Sequence, residues 1–280
     1  MRSYVPETGI ESVQANGIRH AFFTEGSGPL VLMLHGFPDT PHTWDAIRPA
    51  VAAAGYRVVT PFLRGYAPSE IPEHDTDAKT QGQDVLALID ALGENSAIVV
   101  GHDWGASAAY SAAALGPEKV RKLVTVGIPH PASLKPSLGL LWSIRHFVTL
   151  RLPGAVTRAA KNDYELIETL TRRWGPTWNF GAEELEPVKN AFAAPGCLNA
   201  AIGYYRTITP IIPAWLRGKL SMPTLSFAGA DDPNITPQDF EAARRYYTDE
   251  YRVVTVPGGH FLHRESGPEF TRELLEFLDA

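Results

Sequence analysis

Short runs of Val, Ile and Leu at 30–34, 56–63, 97–100 and 120–128 punctuate the first half of the chain. Runs that stay apolar throughout suit strands buried on both faces, whereas a helix repeats its apolar residues every third or fourth position. Segment 80–92 has that second spacing, with Val85, Leu88, Ile89 and Leu92 on one face, and 43–54 and 105–115 read as helices too. Alternation of strand and helix predicts an α/β fold: a mostly parallel sheet covered by helices on both faces. From 133 to 219 the strand signal disappears, and Trp, Tyr, Pro and Arg gather in helical patches at 163–174 and 182–192. After Pro223 it returns, with strands at 224–228 and 251–256, a helix between them at 238–247 and an amphipathic helix at 269–278. The pattern therefore predicts an α/β core made of 1–132 and 220–280, interrupted by a helical cap at 133–219, with no internal repeat.

A length of 280 residues accommodates one such domain, and 44% hydrophobic with 20% charged residues is enough for a real core. The net charge of −6 offers no basic surface to a phosphate backbone or an anionic bilayer, so neither nucleic acid nor membrane is expected as a partner. Cys197 is the only cysteine and can form no internal disulfide. No Cys/His group has zinc-ligand spacing, and neither a metal nor a cofactor is expected. The first 23 residues lack the basic stretch and long apolar run of an export signal, which makes a cytoplasmic location the default expectation. Nothing in the pattern excludes a homodimer.

Candidate chemistry collects at the ends of the predicted strands. In Gly101-His102-Asp103-Trp104-Gly105 a strand runs into a helix through a turn whose flanking residues are small, which would hold the Asp103 carboxylate above the sheet. The competing reading is an aspartate that caps the helix. His35-Gly36-Phe37-Pro38-Asp39 follows the strand at 30–34, where the N–H of Phe37 could join that of Trp104 in an oxyanion hole, or where His-Gly could be ordinary loop punctuation. Gly229-Ala230-Asp231-Asp232 and Gly259-His260 end the last two strands and would complete a triad in the chain order Asp103, Asp232, His260. Each acid or His alone is equally a turn former, but these signals occur in the right order on the right elements.

These stretches, together with Leu63-Arg64-Gly65-Tyr66, resemble the α/β-hydrolase fold family and within it the epoxide hydrolase branch, over nearly the whole length. The resemblance implies an acid three residues after Gly229, which selects Asp232 over Asp231, and a ring-opening Tyr205 within Tyr204-Tyr205-Arg206. It has departures. Phe62 stands where the family usually has Asp, Ala67 replaces a common Gly, and the early cap position near 143–148 has no Tyr. His146 is the polar candidate there, since some members pair a His with a Tyr; the alternative is a packing residue. The implied reaction opens a small apolar epoxide to a diol through an alkyl ester on Asp103, which water activated by His260 and Asp232 then hydrolyses. Phe37, Trp104, Tyr204 and Phe147 are expected to line the pocket, with Trp142, Trp174, Trp178 and Phe180 adding aromatic surface to the cap. Two other readings stay open: a haloalkane or haloacid dehalogenase using the same Asp, and a non-catalytic binding protein on the same fold.

Overall fold

The computed structural model describes residues 2–73, 76–134, 145–209 and 211–280. Strands β1 (Glu11–Ala15) and β2 (Ile18–Glu25) form an antiparallel hairpin that the apolar-run pattern does not reveal. Its turn is Asn16-Gly17, both at positive φ, the dipeptide best suited to a two-residue hairpin connection. Beyond it come β3 (Leu30–Leu34), β4 (Arg57–Pro61), β5 (Ala97–His102), β6 (Val120–Val126), β7 (Thr224–Gly229) and β8 (Tyr251–Val256). The order across the sheet is β1-β2-β4-β3-β5-β6-β7-β8, antiparallel on the β1 side as far as the β2–β4 pair and parallel from β4 to β8.

Alternate strand residues face opposite sides, so neighbours on one strand join different cores. Leu32, Val59, Val99 and Leu123 pack toward α2 (Ala78–Ala91) and α3 (Trp104–Leu115). Val31, Val58, Ile98 and Val124 pack on the other face, with Val51 of α1 (Arg48–Ala53) and with Phe270, Leu274 and Phe277 near the chain end. The helix expected over 43–54 begins as a 3-10 turn at Pro41–Trp44 and resumes as α1, whose second residue is Pro49.

Between β6 and β7 the described residues contain no strand. They form α4 (Arg145–Arg151), α5 (Ala155–Ala159), α6 (Glu165–Trp174), α7 (Glu186–Ala193) and α8 (Cys197–Thr207). The core then closes with α9 (Pro237–Ala242), α10 (Leu262–Glu265) and α11 (Gly267–Asp279). Helix α8 seats on the loop after β4. Gly65 there has φ +81°, and a Cβ on it would lie 2.7 Å from that of Ala200, so only glycine lets the helix approach this closely. Beside it Arg64 forms a two-pronged buried ion pair with Asp84 of α2 at 2.7 and 2.5 Å, and its carbonyl accepts the Tyr204 hydroxyl at 2.6 Å. Among the described residues no helix is long and apolar enough to cross a membrane.

Candidate active site

Asp103 occupies the turn between β5 and α3 at φ 51° and ψ −114°, a backbone region costly for a residue with a side chain. The neighbours are small because nothing larger fits. A Cβ on Gly101 would lie 2.3 Å from the Gly105 carbonyl oxygen, one on Gly105 would lie 2.3 Å from that of Leu34, and one on Gly36 would lie 2.4 Å from the Asp103 Cβ. The carboxylate makes no capping bond to α3. Its Oδ1 instead accepts the N–H of Phe37 at 2.8 Å, from the turn after β3. The helix-cap reading of Asp103 thus does not hold, and the strained turn serves to aim the side chain away from its own helix.

The turns after β7 and β8 bring the other two residues to the same place. His260 Nδ1 lies 2.9 Å from Asp232 Oδ2, and its Nε2 lies 3.4 Å from Asp103 Oδ2. The backbone fixes Asp232: Asn234 and Ile235 donate N–H bonds to its Oδ1 at 2.7 and 3.3 Å, leaving Oδ2 to the imidazole. Asp231 turns the other way, accepting from Gly258 N–H at 3.4 Å. The two turns are in contact, since a Cβ on Gly229 would lie 2.2 Å from the carbonyl oxygen of Gly259. His260 also donates its N–H to the Trp174 carbonyl at the end of α6, at 2.8 Å, a direct tie from core to cap.

Burial opposes a charge on His260, but the two carboxylates outweigh it and raise its pKa to about 10. For Asp103 burial acts upward and is overcome by His260 and by the Phe37 amide, which together hold the carboxyl below its ordinary value. At neutral pH the pair is therefore carboxylate and imidazolium.

Above Asp103 lies a cavity of about 140 Å³, walled by Ile128, Phe147, Trp174 and Ile235 and carrying His146 and His260 as its other polar side chains apart from Asn234. The His146 ring sits 4.6 Å from Trp174 and 5.8 Å from Tyr205. Tyr205 is buried edge-on to both Phe37 and Trp104, 5.2 Å from each ring, and 5.1 Å from Phe147. Burial first, and then the charge of Asp103, raise its pKa well above the usual value, so the phenol keeps its proton. The structure thus brings Asp103, Asp232, His260, Tyr205, His146, Phe37, Trp104 and Phe147 together. Trp104 opens α3, and its N–H is among the first four of the helix, which have no partner within it.

Of the four expected pocket residues only Phe147 lines this cavity; Phe37 and Trp104 stand against Tyr205, and Tyr204 is directed elsewhere. One residue along α8 from Tyr205, it is turned about 100° around the axis, and its hydroxyl is spent on Arg64 instead of the cavity. Trp178 and Phe180 pack on each other at 4.6 Å and Trp178 on Phe261 at 5.3 Å, away from Asp103. Trp142 lies outside the described residues. Ile128 and Ile235 line the cavity without having been anticipated; each follows a strand end by a few residues, as Asp103, Asp232 and His260 do.

A family model described as alpha/beta hydrolase fold matches residues 29–266. An epoxide hydrolase of Caballeronia sordidicola is 42% identical, over 95% of this chain and 92% of its own. Epoxide hydrolase A of Mycobacterium tuberculosis is 30% identical, over 95% and 96%. Among solved structures, an epoxide hydrolase from Vigna radiata superposes with a TM-score of 0.80 at 27% identity, over 97% of this chain and 98% of that one.

Proposed function

Because the chain belongs to the α/β-hydrolase fold family, within its epoxide hydrolase branch, we propose that it hydrolyses a small apolar epoxide to a vicinal diol in two steps, with Asp103 as the attacking group. The observation that carries this reading is the Asp103 side chain itself. It is an ionised carboxylate that caps no helix, is aimed by a strained turn into an apolar cavity, and lies near enough to the protonated Tyr205 phenol for its charge to raise that group's pKa.

In the first step a carboxylate oxygen of Asp103 displaces the ring oxygen from carbon. Displacement needs nucleophile, carbon and leaving oxygen in line, so the donors must lie opposite the turn, on the side where α4 and α8 place His146 and Tyr205. Tyr205 gives its proton to the alkoxide, and His146 donates a second hydrogen bond. Esterification removes one of the two charges that keep His260 protonated. Its pKa falls, its proton passes through water to the Tyr205 phenolate and restores the phenol, and with Asp232 holding Nδ1 its Nε2 can take a proton from water. Hydroxide then adds to the ester carbonyl, whose oxyanion accepts from the Phe37 N–H, already bonded to Oδ1, with the Trp104 N–H at the start of α3 as the second donor of this reading. Collapse frees the diol, its alkoxide taking the proton of the new carboxyl group, and the proton that His260 took from water restores the imidazolium beside the Asp103 carboxylate.

The test is loss of a panel of styrene-oxide-like, cyclic and terminal aliphatic epoxides followed by gas chromatography, with halide release from chlorinated and brominated alkanes run in parallel. Diol formation without halide supports the proposal. Halide release without diol would assign the site to carbon–halogen bonds instead.

A further inference from the structure

Behind His260, on the side away from the cavity, three buried side chains converge from distant parts of the sequence: Asp39, His102 and His263. One potential ligand atom of each lies within 4.8 Å of the others, and the two rings are 4.4 Å apart. Their hydrogen bonds fix which ring nitrogens carry the hydrogen. His102 Nε2 lies 3.0 Å from the His260 carbonyl oxygen, which can only accept, so Nε2 carries the hydrogen. Deep burial keeps the ring neutral, and Nδ1 is left with a bare lone pair and no partner among the described residues. His263 repeats the arrangement. Its Nε2 meets the Thr43 hydroxyl at 2.6 Å, that hydroxyl serves the Asp39 carboxylate, and Nδ1 is again buried without a partner among the described residues.

Two imidazoles, each with one bare nitrogen, thus stand beside a carboxylate that the Thr43 hydroxyl and the Thr40 N–H also reach. We propose that Asp39, His102 and His263 constitute a binding site for one divalent transition-metal cation of the zinc class. Two nitrogens and an oxygen suit such an ion. The outer ring nitrogen of each His donates to an oxygen, the arrangement that orients metal-bound imidazoles elsewhere. Access exists as well. His263 borders a surface cavity of about 350 Å³ whose rim holds Asp45, Glu183 and Glu184. Arg264 lies 4.0 Å from Asp39 and its guanidinium is engaged by Glu184, while His42 and His260 are further cations near the cluster.

The site is independent of the epoxide reading, so its test reads binding and not turnover. The full-length protein, stripped with chelator, is titrated with Zn²⁺ by calorimetry and with Co²⁺ by visible absorption. One equivalent is expected, with affinity reduced about 100-fold or more in Asp39→Asn and in His263→Gln. His42→Gln should bind as the parent does: His42 lies on the same surface cavity, but its contacts with Asp45 and Glu7 overcome burial and raise its pKa to about 9, leaving it protonated. Should the Asp39 or His263 variants fail to fold, X-ray absorption of the zinc-loaded parent decides, with two imidazole nitrogens at about 2.0–2.1 Å expected. Absence of saturable binding, a zinc shell without imidazole, or loss of binding in His42→Gln with retention in His263→Gln would overturn the proposal.

Discussion

The sheet and the cap contribute to the same cavity by different means. On the sheet, Asp103, Asp232 and His260 each follow the end of a strand, and backbone amides or neighbouring turns fix every one of them. On the cap, Tyr205 and His146 stand on helices whose rotation is set by what they pack against, so neighbours can have unrelated tasks. Tyr204 and Tyr205 make the contrast plain: one hydroxyl holds Arg64 and seats the cap, the other keeps its proton near Asp103. A strand end determines where a side chain goes; a helix determines it only once its partners are known.

If this division is right, sheet residues should stop the chemistry and cap residues should slow one step of it. The largest effect is expected for Asp103→Ala, a loss of turnover of about 10⁴-fold or more, with the circular dichroism spectrum unchanged. His260→Gln should leave attack on the epoxide largely intact and block ester hydrolysis, so that mass spectrometry of the intact protein finds enzyme plus substrate accumulating. Trapping by His263→Gln instead would move the base to the wrong face of the sheet and break the comparison. Asp231→Asn should be milder than Asp232→Asn, because only Asp232 reaches the imidazole.

The paired tyrosines sharpen it further. Tyr205→Phe should slow single-turnover alkylation by about 10²–10⁴-fold, the range for a general acid, with the melting temperature little changed. Tyr204→Phe should do the reverse. It removes the buried hydrogen bond to the Arg64 carbonyl, at a cost of about 0.5–1.5 kcal/mol, lowers the melting temperature and spares alkylation. His146→Phe is expected to reduce alkylation by less than Tyr205→Phe; full retention across the pH range would make His146 a packing residue.

The smallest effects concern stability against pH. Burial lowers the pKa of His35 and of His130 to about 4, and pushes His102 and His263 well below the ordinary value. Such groups bind fewer protons when folded, so their contribution is present above about pH 6.5 and is lost as pH falls toward 4. His260 has the opposite sign: raised to about 10, it contributes below about pH 6.5, and that contribution is lost as pH rises toward 10. His260→Gln should therefore flatten part of the alkaline fall in melting temperature, His42 supplying the remainder, and leave the acid fall in place.

The same division explains what could be read from the sequence. The apolar runs mark the buried parallel strands, and short turns after them mark Asp103, Asp232 and His260, because both signals are local. The β1–β2 hairpin escaped that reading: its partly exposed strands lack continuous apolar runs, although Asn16-Gly17 announces the turn. Which of Tyr204 and Tyr205 lies toward Asp103 rests on contacts with Arg64 and Gly65, about 140 residues earlier, and periodicity within α8 cannot supply that. The convergence of Asp39, His102 and His263 is equally invisible to a search for local ligand spacing, since the sheet alone makes them neighbours.

The central claim is that the oxygen delivered to the substrate comes from Asp103. A single turnover with enzyme in excess, in water enriched in ¹⁸O, tests it directly. The account predicts label in the Asp103 carboxylate, found by peptide mass spectrometry, and a first-turnover diol without label. Label appearing in that first diol would show direct attack by water and contradict the account.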